Sequence, residues 1–354
     1  MFPEENMKVA IATVQIPFVR GGAEYLADNL KNELIRRGHE AEIVSVPFID
    51  NPPYQLENQI VASRLLDLSV SWGGRIDLCI GLRFPAYFIP HPNKVIWALH
   101  QYRQAYDLFD TEYSPLKNDS EGLRIKKMIT RADQAYLPEA KRLYSISPNV
   151  SKRMMIYNQL PCTPLYHPCP DMEKFYSVGY EDYILMPSRI NVTKRQHLAV
   201  EAMQYVKSDI KLLVVGSPDN PQVLNEFQED IRKYHVEDKV QYIGYVDQQE
   251  KMKIYSKAKA VLFIPKDEDY GYITLEAMAA SKAVITAKDS GGPIEFVLDD
   301  QTGIITEPSP KKIAKAIDQI ASSKWMGEEM GKAGKKRLEE MDISWDHVVK
   351  ELTK

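Results

Sequence analysis

Short apolar segments alternate with amphipathic helical ones twice along this chain, and a proline-rich stretch separates the two runs. The first run opens with "KVAIATVQI" (Lys8–Ile16), then a helix, "EYLADNLKNELIRRGH", with Leu26, Leu30 and Leu34 on one face and Gly38 as its stop. "EAEIVSVP", "IDLCIGL" and "KVIWALHQ" follow as further strands. After Tyr157–Tyr180, read as a link for its prolines and lack of period, the alternation resumes. "YILMPSRI", "IKLLVVGS", "KVQYIGYV", "AVLFIP" and "AVITA" are strands, with helices over 196–206, 221–234 and 248–257 between them. Strand, helix, strand in repetition predicts a parallel sheet covered by helices on both faces. The fold class is therefore α/β, as two doubly wound Rossmann-like domains facing a cleft. The expected boundaries are 1–168, 169–340 and a final helix, 341–354, crossing back to the first domain. In that helix Ser344 is the cap and Trp345 a packing anchor.

The 354 residues, 44% of them apolar, suffice for a core in each half. Near balance of 45 basic and 49 acidic side chains excludes a dedicated nucleic-acid binder. No apolar run reaches about 18 residues, so no membrane span is expected. The N-terminus reads without a secretory leader, which predicts a cytoplasmic protein with Cys79, Cys162 and Cys169 reduced. Cys162, His167 and Cys169 cluster in sequence, but their spacing matches no zinc pattern and lacks a fourth ligand, so no metal is assigned. Nine basic residues against four acidic ones between Lys117 and Arg153 present either a peripheral membrane contact or a solvated helix face.

In such sheets ligands bind beyond the carboxyl ends of the strands. Four loops there carry candidate chemistry. After the first strand, Gly21 and Gly22 allow backbone amides to approach an anion, or simply make a tight turn. In "MPSRINVTKRQH", Arg189 and Lys194 place two cations where a helix begins, either a pocket for a diphosphate or a pair of solvated surface charges. In "FIPKDEDYGYITLEAM", Gly271 permits a turn, and the amides of Tyr272, Ile273 and Thr274 can meet an anion. Glu276 is expected in the first helical turn and Glu268 before the turn, so that two carboxylates flank one space and accept from vicinal hydroxyls. Gly291, Gly292 and Glu295 either touch ligand or support a neighbouring loop. His100, just past a first-half strand, either donates to a hydroxyl or bonds backbone.

Four pieces together, "RGGAEYLADNL", "SRINVTKRQHLAVEAM", "EDYGYITLEAMAASKAVITAKDSGGPIEFV" and "QTGIITEPSPKKIAKAI", resemble glycosyltransferase family 4, retaining enzymes of the GT-B fold. The third piece holds the family's Glu, seven residues, Glu. The resemblance implies transfer of a hexose-type sugar from a nucleotide diphosphate sugar to a carbohydrate or lipid-linked acceptor, with retention and without metal or other cofactor. It implies that Arg189 and Lys194 grip the diphosphate, Glu276 the ribose and Glu268 the donor sugar. The amides of Tyr272 and Ile273 would touch sugar and phosphate, His100 the sugar, and Gly22 the phosphate or acceptor. The base would rest near Gly244, Tyr245 and Val246. The chain departs from the family at Arg195, often glycine, and at Asp269, Tyr270 and Tyr272, which leaves sugar identity open. Asp267-Glu268-Asp269 also spells the Asp-x-Asp of metal-dependent transfer, but in the second of two domains and beside a cationic pair. Competing readings are a non-catalytic nucleotide-sugar-binding protein, which would have lost Glu268, Arg189 or Lys194, and a nucleotide-sugar 2-epimerase, which would lack the glutamate pair. A two-domain solute receptor would carry an export signal.

Overall fold

Every strand pair in the two large sheets runs parallel. The structure, a computed structural model, describes residues 6–18, 20–323 and 325–354. It divides into a first unit, Met1–His167 with Ser344–Lys354, and a second, Pro168–Ile343.

The first unit runs β1 (Lys8–Gln15), α1 (Gly22–Arg36), β2 (Glu40–Pro47), α2 (Gln55–Leu65), β3 (Val70–Ser71), β4 (Gly74–Arg75), β5 (Leu78–Gly81), β6 (Lys94–Ala98), α3 (Ser120–Tyr136), β7 (Arg142–Ser145), α4 (Pro148–Arg153) and β8 (Thr163–Pro164). Its sheet order is β2-β1-β5-β6-β7-β8, with β3 and β4 a separate hairpin. β1 is buried from Val9 to Val14, as a central parallel strand covered on both faces must be. α1 buries Leu26, Leu30 and Leu34 at helical spacing, and Gly38 stands just beyond it with φ +93°. β8 lies inside the stretch read from sequence as a link. Two residues have no detectable period, and only pairing with β7 makes them a strand.

The second unit runs β9 (Tyr183–Pro187), α5 (Gln196–Met203), β10 (Lys211–Val215), α6 (Pro221–Lys233), β11 (Val240–Gly244), α7 (Gln248–Lys257), β12 (Ala260–Leu262), α8 (Tyr272–Ala279), β13 (Ala283–Ala287), α9 (Pro293–Phe296), β14 (Gly303–Thr306), α10 (Pro310–Ser322) and α11 (Met326–Glu340). Sheet order is β11-β10-β9-β12-β13-β14. The chain winds outward from β9 in one direction, then returns to β12 and winds the other way. The switch point lies between β9 and β12, where doubly wound sheets open a crevice for ligands.

The last helix, α12 (Trp345–Thr353), belongs to the first unit. Ser344 caps it by accepting from the His347 N–H at 3.3 Å. Trp345 stands edge-on to Trp97 at 6.4 Å, and Arg142 and Tyr144 donate to the Glu351 carbonyl at 3.3 and 3.1 Å.

Candidate donor site in the second unit

The loops that leave β9 and β12 are sewn together at the switch point. The Lys266 N–H donates to the Thr193 carbonyl at 2.8 Å. Asn191 caps the turn before Lys194 by accepting from the Thr193 N–H at 2.8 Å. Lys194 then donates its ammonium to Glu268 Oε2, and the two side chains are largely shielded, at 17% and 26% exposure. The structure thus joins a cation and a carboxylate that stand 74 positions apart in sequence.

Glu268 is held by its backbone as firmly as by its side chain. Its N–H donates to the Ser290 carbonyl and its carbonyl accepts from Gly292, both at 2.8 Å, while the Asp267 N–H reaches the Asp289 carbonyl at 2.8 Å. A Cβ on Gly292 would stand 2.3 Å from the Tyr270 carbonyl oxygen. The glycine pair after β13 therefore lets one loop lie against another, and of the two readings open in the sequence it is loop support that the contacts display. Arg195 adds a bidentate grip on Asp289, at 2.7 Å to each oxygen.

Gly271 follows with φ +96°, a conformation costly for a side chain, and opens α8. The N–H groups of Tyr272 and Ile273 begin that helix, where the first donors have no partner within it and the dipole favours an anion. The Tyr270 ring meets Tyr272 and Phe296 edge-on, at 5.7 and 5.5 Å. Burial, and the Cys169 thiol and Glu276 carboxylate close by, push the Tyr272 phenol well above its ordinary range.

One expectation needs correction. Glu276 is the fifth residue of α8 and so lies in its second turn, not its first, because the helix begins already at Tyr272. It is 6% exposed and accepts from Lys251 Nζ and Tyr255 OH, both at 2.7 Å. Within the protein Arg189 and Lys194 have different partners. Arg189 is exposed and donates to Asp219 Oδ1 at 2.9 Å, on the loop after β10. Sequence reading singled out none of Lys251, Tyr255, Asp219 and Asp289. Only the one-turn spacing of Lys251 and Tyr255 on α7 carried a signal.

At the end of β11, Gly244 takes φ +83°, Tyr245 is 78% exposed, Val246 is half-buried, and Asp247 caps α7. In the first unit the Gly21 N–H is taken by Glu24 Oε2 at 2.7 Å, a capping contact of α1 itself, and Gly22 begins the helix. Arg83 donates to the other Glu24 oxygen at 3.1 Å. His100 lies just past β6, its Nδ1 2.6 Å from the Gln101 carbonyl, the backbone bond that one of its two readings expected.

The basic segment does not form one free face. Arg124 pairs with Glu57, Lys126 lies over the Phe109 ring, Arg142 reaches the last helix and Arg153 is buried, while Lys127 and Arg131 are exposed. His167 packs edge-on to Trp97, and Cys169 is buried. Among the described residues no group of three or more His, Cys, Asp or Glu is arranged to hold a metal ion, and no helix is long and apolar enough to cross a membrane.

The family described as "Glycosyl transferases group 1" matches residues 171–337, nearly all of the second unit. Among curated proteins, the chain is 30% identical over 137 residues to the alpha-1,3/1,6-mannosyltransferase ALG2 of Dictyostelium discoideum, covering 37% of this chain and 32% of that one. The chain thus spans about a third of that relative's length. It is 24% identical over 387 residues to an uncharacterised glycosyltransferase of Methanocaldococcus jannaschii, covering 98% of this chain and 96% of that one. Among solved structures, sucrose-phosphate synthase from Thermosynechococcus elongatus superposes with a TM-score of 0.79 at 16% identity, over 97% of each chain. The second unit thus matches the group 1 glycosyltransferase family, and the two parallel-sheet α/β units have the GT-B fold of the solved glycosyltransferase structures.

Proposed function

We propose that the chain is a retaining hexosyltransferase that moves a sugar from a nucleotide diphosphate sugar to an acceptor hydroxyl without a metal ion. The Lys194–Glu268 contact at the switch point, followed directly by the N-terminal amides of α8, carries this reading. Lys194 and Arg189 are assigned to the diphosphate, the Tyr272 and Ile273 amides to phosphate and sugar, Glu268 to the sugar hydroxyls, and Glu276 to the ribose. The loop at Gly244, Tyr245 and Val246 is assigned to the base. In the first unit His100 is assigned to the sugar and Gly22 to phosphate or acceptor.

In this mechanism the bond from the anomeric carbon to the diphosphate oxygen breaks, and its electron pair leaves with the diphosphate. Cations and helix amides stabilise the charge that develops there. The acceptor oxygen bonds to the anomeric carbon on the face the diphosphate leaves, and its proton passes to the departing phosphate oxygen. Glu268 stabilises positive character on the sugar. The match to a mannosyltransferase favours a mannosyl-type sugar. An acceptor carried on a lipid would bring exposed Lys127 and Arg131 toward anionic headgroups.

Glu268→Gln tests the reading. It keeps the side chain's shape and removes its charge, so turnover should fall by about 10²–10³ with melting temperature nearly unchanged. Wild-type rates of transfer in that variant would remove Glu268 from the chemistry.

A further inference from the structure

α7 starts immediately after the loop assigned to the base, with Asp247 accepting the Glu250 N–H at 2.8 Å. Lys251 and Tyr255 stand one helical turn apart on it and so project from the same face. Both end on one carboxylate: Lys251 Nζ reaches Glu276 Oε1, and the Tyr255 hydroxyl reaches Oε2, at 2.7 Å each. Tyr255 is wholly buried, Glu276 is 6% exposed, and the Lys251 side chain is 26% exposed. A buried carboxylate must be given both countercharge and donors. Here one helix supplies both.

A carboxylate offers about four lone-pair positions. Lys251 and Tyr255 occupy one on each oxygen and fix the plane of the group. What is left is one acceptor position per oxygen, side by side. Two neighbouring hydroxyls, each donating once, complement that arrangement.

We infer that Lys251 and Tyr255 are positioning residues that hold Glu276 as a fixed twin acceptor for the 2′,3′-diol of the donor's ribose. They thereby set the preference of the site for ribonucleotides over deoxyribonucleotides. The inference rests on the proposed nucleotide-sugar reading and extends it to residues on a different helix. Because α7 also begins at the base loop, one helix follows the base contact and carries the two residues that hold the ribose acceptor on α8.

The test is calorimetry on the full chain with UDP, GDP, their 2′-deoxy counterparts and inorganic pyrophosphate. Wild type, Tyr255→Phe, Lys251→Met and Lys251→Arg are compared, with thermal melting in parallel. Wild type should bind its preferred ribonucleotide about tenfold more tightly than the deoxy form. In Tyr255→Phe and Lys251→Met that ratio should fall below about threefold while pyrophosphate affinity stays within about twofold, and Lys251→Arg should recover most of the ratio. An unchanged ratio in both variants overturns the inference alone. A parallel loss of pyrophosphate affinity also overturns it, since that marks general collapse of the site. If wild type binds no ribonucleotide, the donor reading falls and takes this inference with it.

Discussion

Arg195 grips both carboxylate oxygens of Asp289, at 2.7 Å each, and so ties the loop after β9 to the loop after β13. The Asp289 carbonyl in turn accepts from Asp267, the neighbour of Glu268. Arg195 sits at φ +59°, a left-handed conformation that suits glycine, the residue the family often has here. This chain gives up backbone ease at that position and gains a clamp.

Removing the clamp should loosen Glu268 without abolishing its function. Arg195→Ala is expected to lower turnover about tenfold and stability by about 1 kcal/mol, the scale of a partly exposed ion pair. Arg195→Gly should lose the same turnover but be about 0.5–1 kcal/mol more stable than Arg195→Ala, because glycine relieves the left-handed strain. The Arg195 hydrogen bond holds the Asp289 carboxyl below its ordinary range. A depressed carboxyl stabilises the fold above its unfolded value and loses that contribution as pH falls through the folded one, here below about pH 4. Steady-state rates and urea midpoints measure both effects.

In the first unit, Asp133 is wholly buried and accepts from Tyr87 and Tyr106 at 3.1 and 2.5 Å, and Asn158 donates to Tyr106 at 2.8 Å. Burial pushes its carboxyl up to about 7, and the phenols pull it only partly back. A raised carboxyl contributes fully below its unfolded value, near 4, and that contribution is lost as pH rises through 7. Stability from this group should drop between pH 5 and pH 8 by on the order of 2 kcal/mol. Asp133→Asn should flatten the profile over that interval in chemical denaturation.

Gly292→Ala drives a methyl group into the Tyr270 carbonyl, 2.3 Å from the ideal Cβ, at the point where the Gly292 N–H holds the Glu268 carbonyl. A loss of about 1–3 kcal/mol and at least a tenfold fall in turnover are expected. Gly179→Ala, whose Cβ meets nothing within 4 Å, is the neutral control. Equal melting temperatures for the two variants would show that the loops yield freely.

The alternation of strand and helix was readable because parallel strands buried on both faces appear as short apolar runs, and β1, β9 and β13 lie where those runs predict. Gly271 was readable because a positive φ at a helix start calls for glycine. The partners of the key side chains were not. Lys251 and Tyr255 lie 25 and 21 positions from Glu276, and Asp219 lies 30 from Arg189, separations without any periodic mark. Gly292 looked equally suited to a ligand or a neighbouring chain, because both demand the same missing side chain. Glu276 falls just beyond the first turn because α8 begins directly after Gly271, and a helix start is not marked to one residue in sequence.

The most direct test of the donor-site account is calorimetry of nucleoside diphosphates, UDP and GDP in turn, on wild type and Lys194→Ala. One of them should bind wild type and lose about tenfold or more in affinity in the variant, the scale of a charge-assisted phosphate contact. Equal affinity in the two proteins would contradict the placement of the diphosphate beside Lys194 and Glu268.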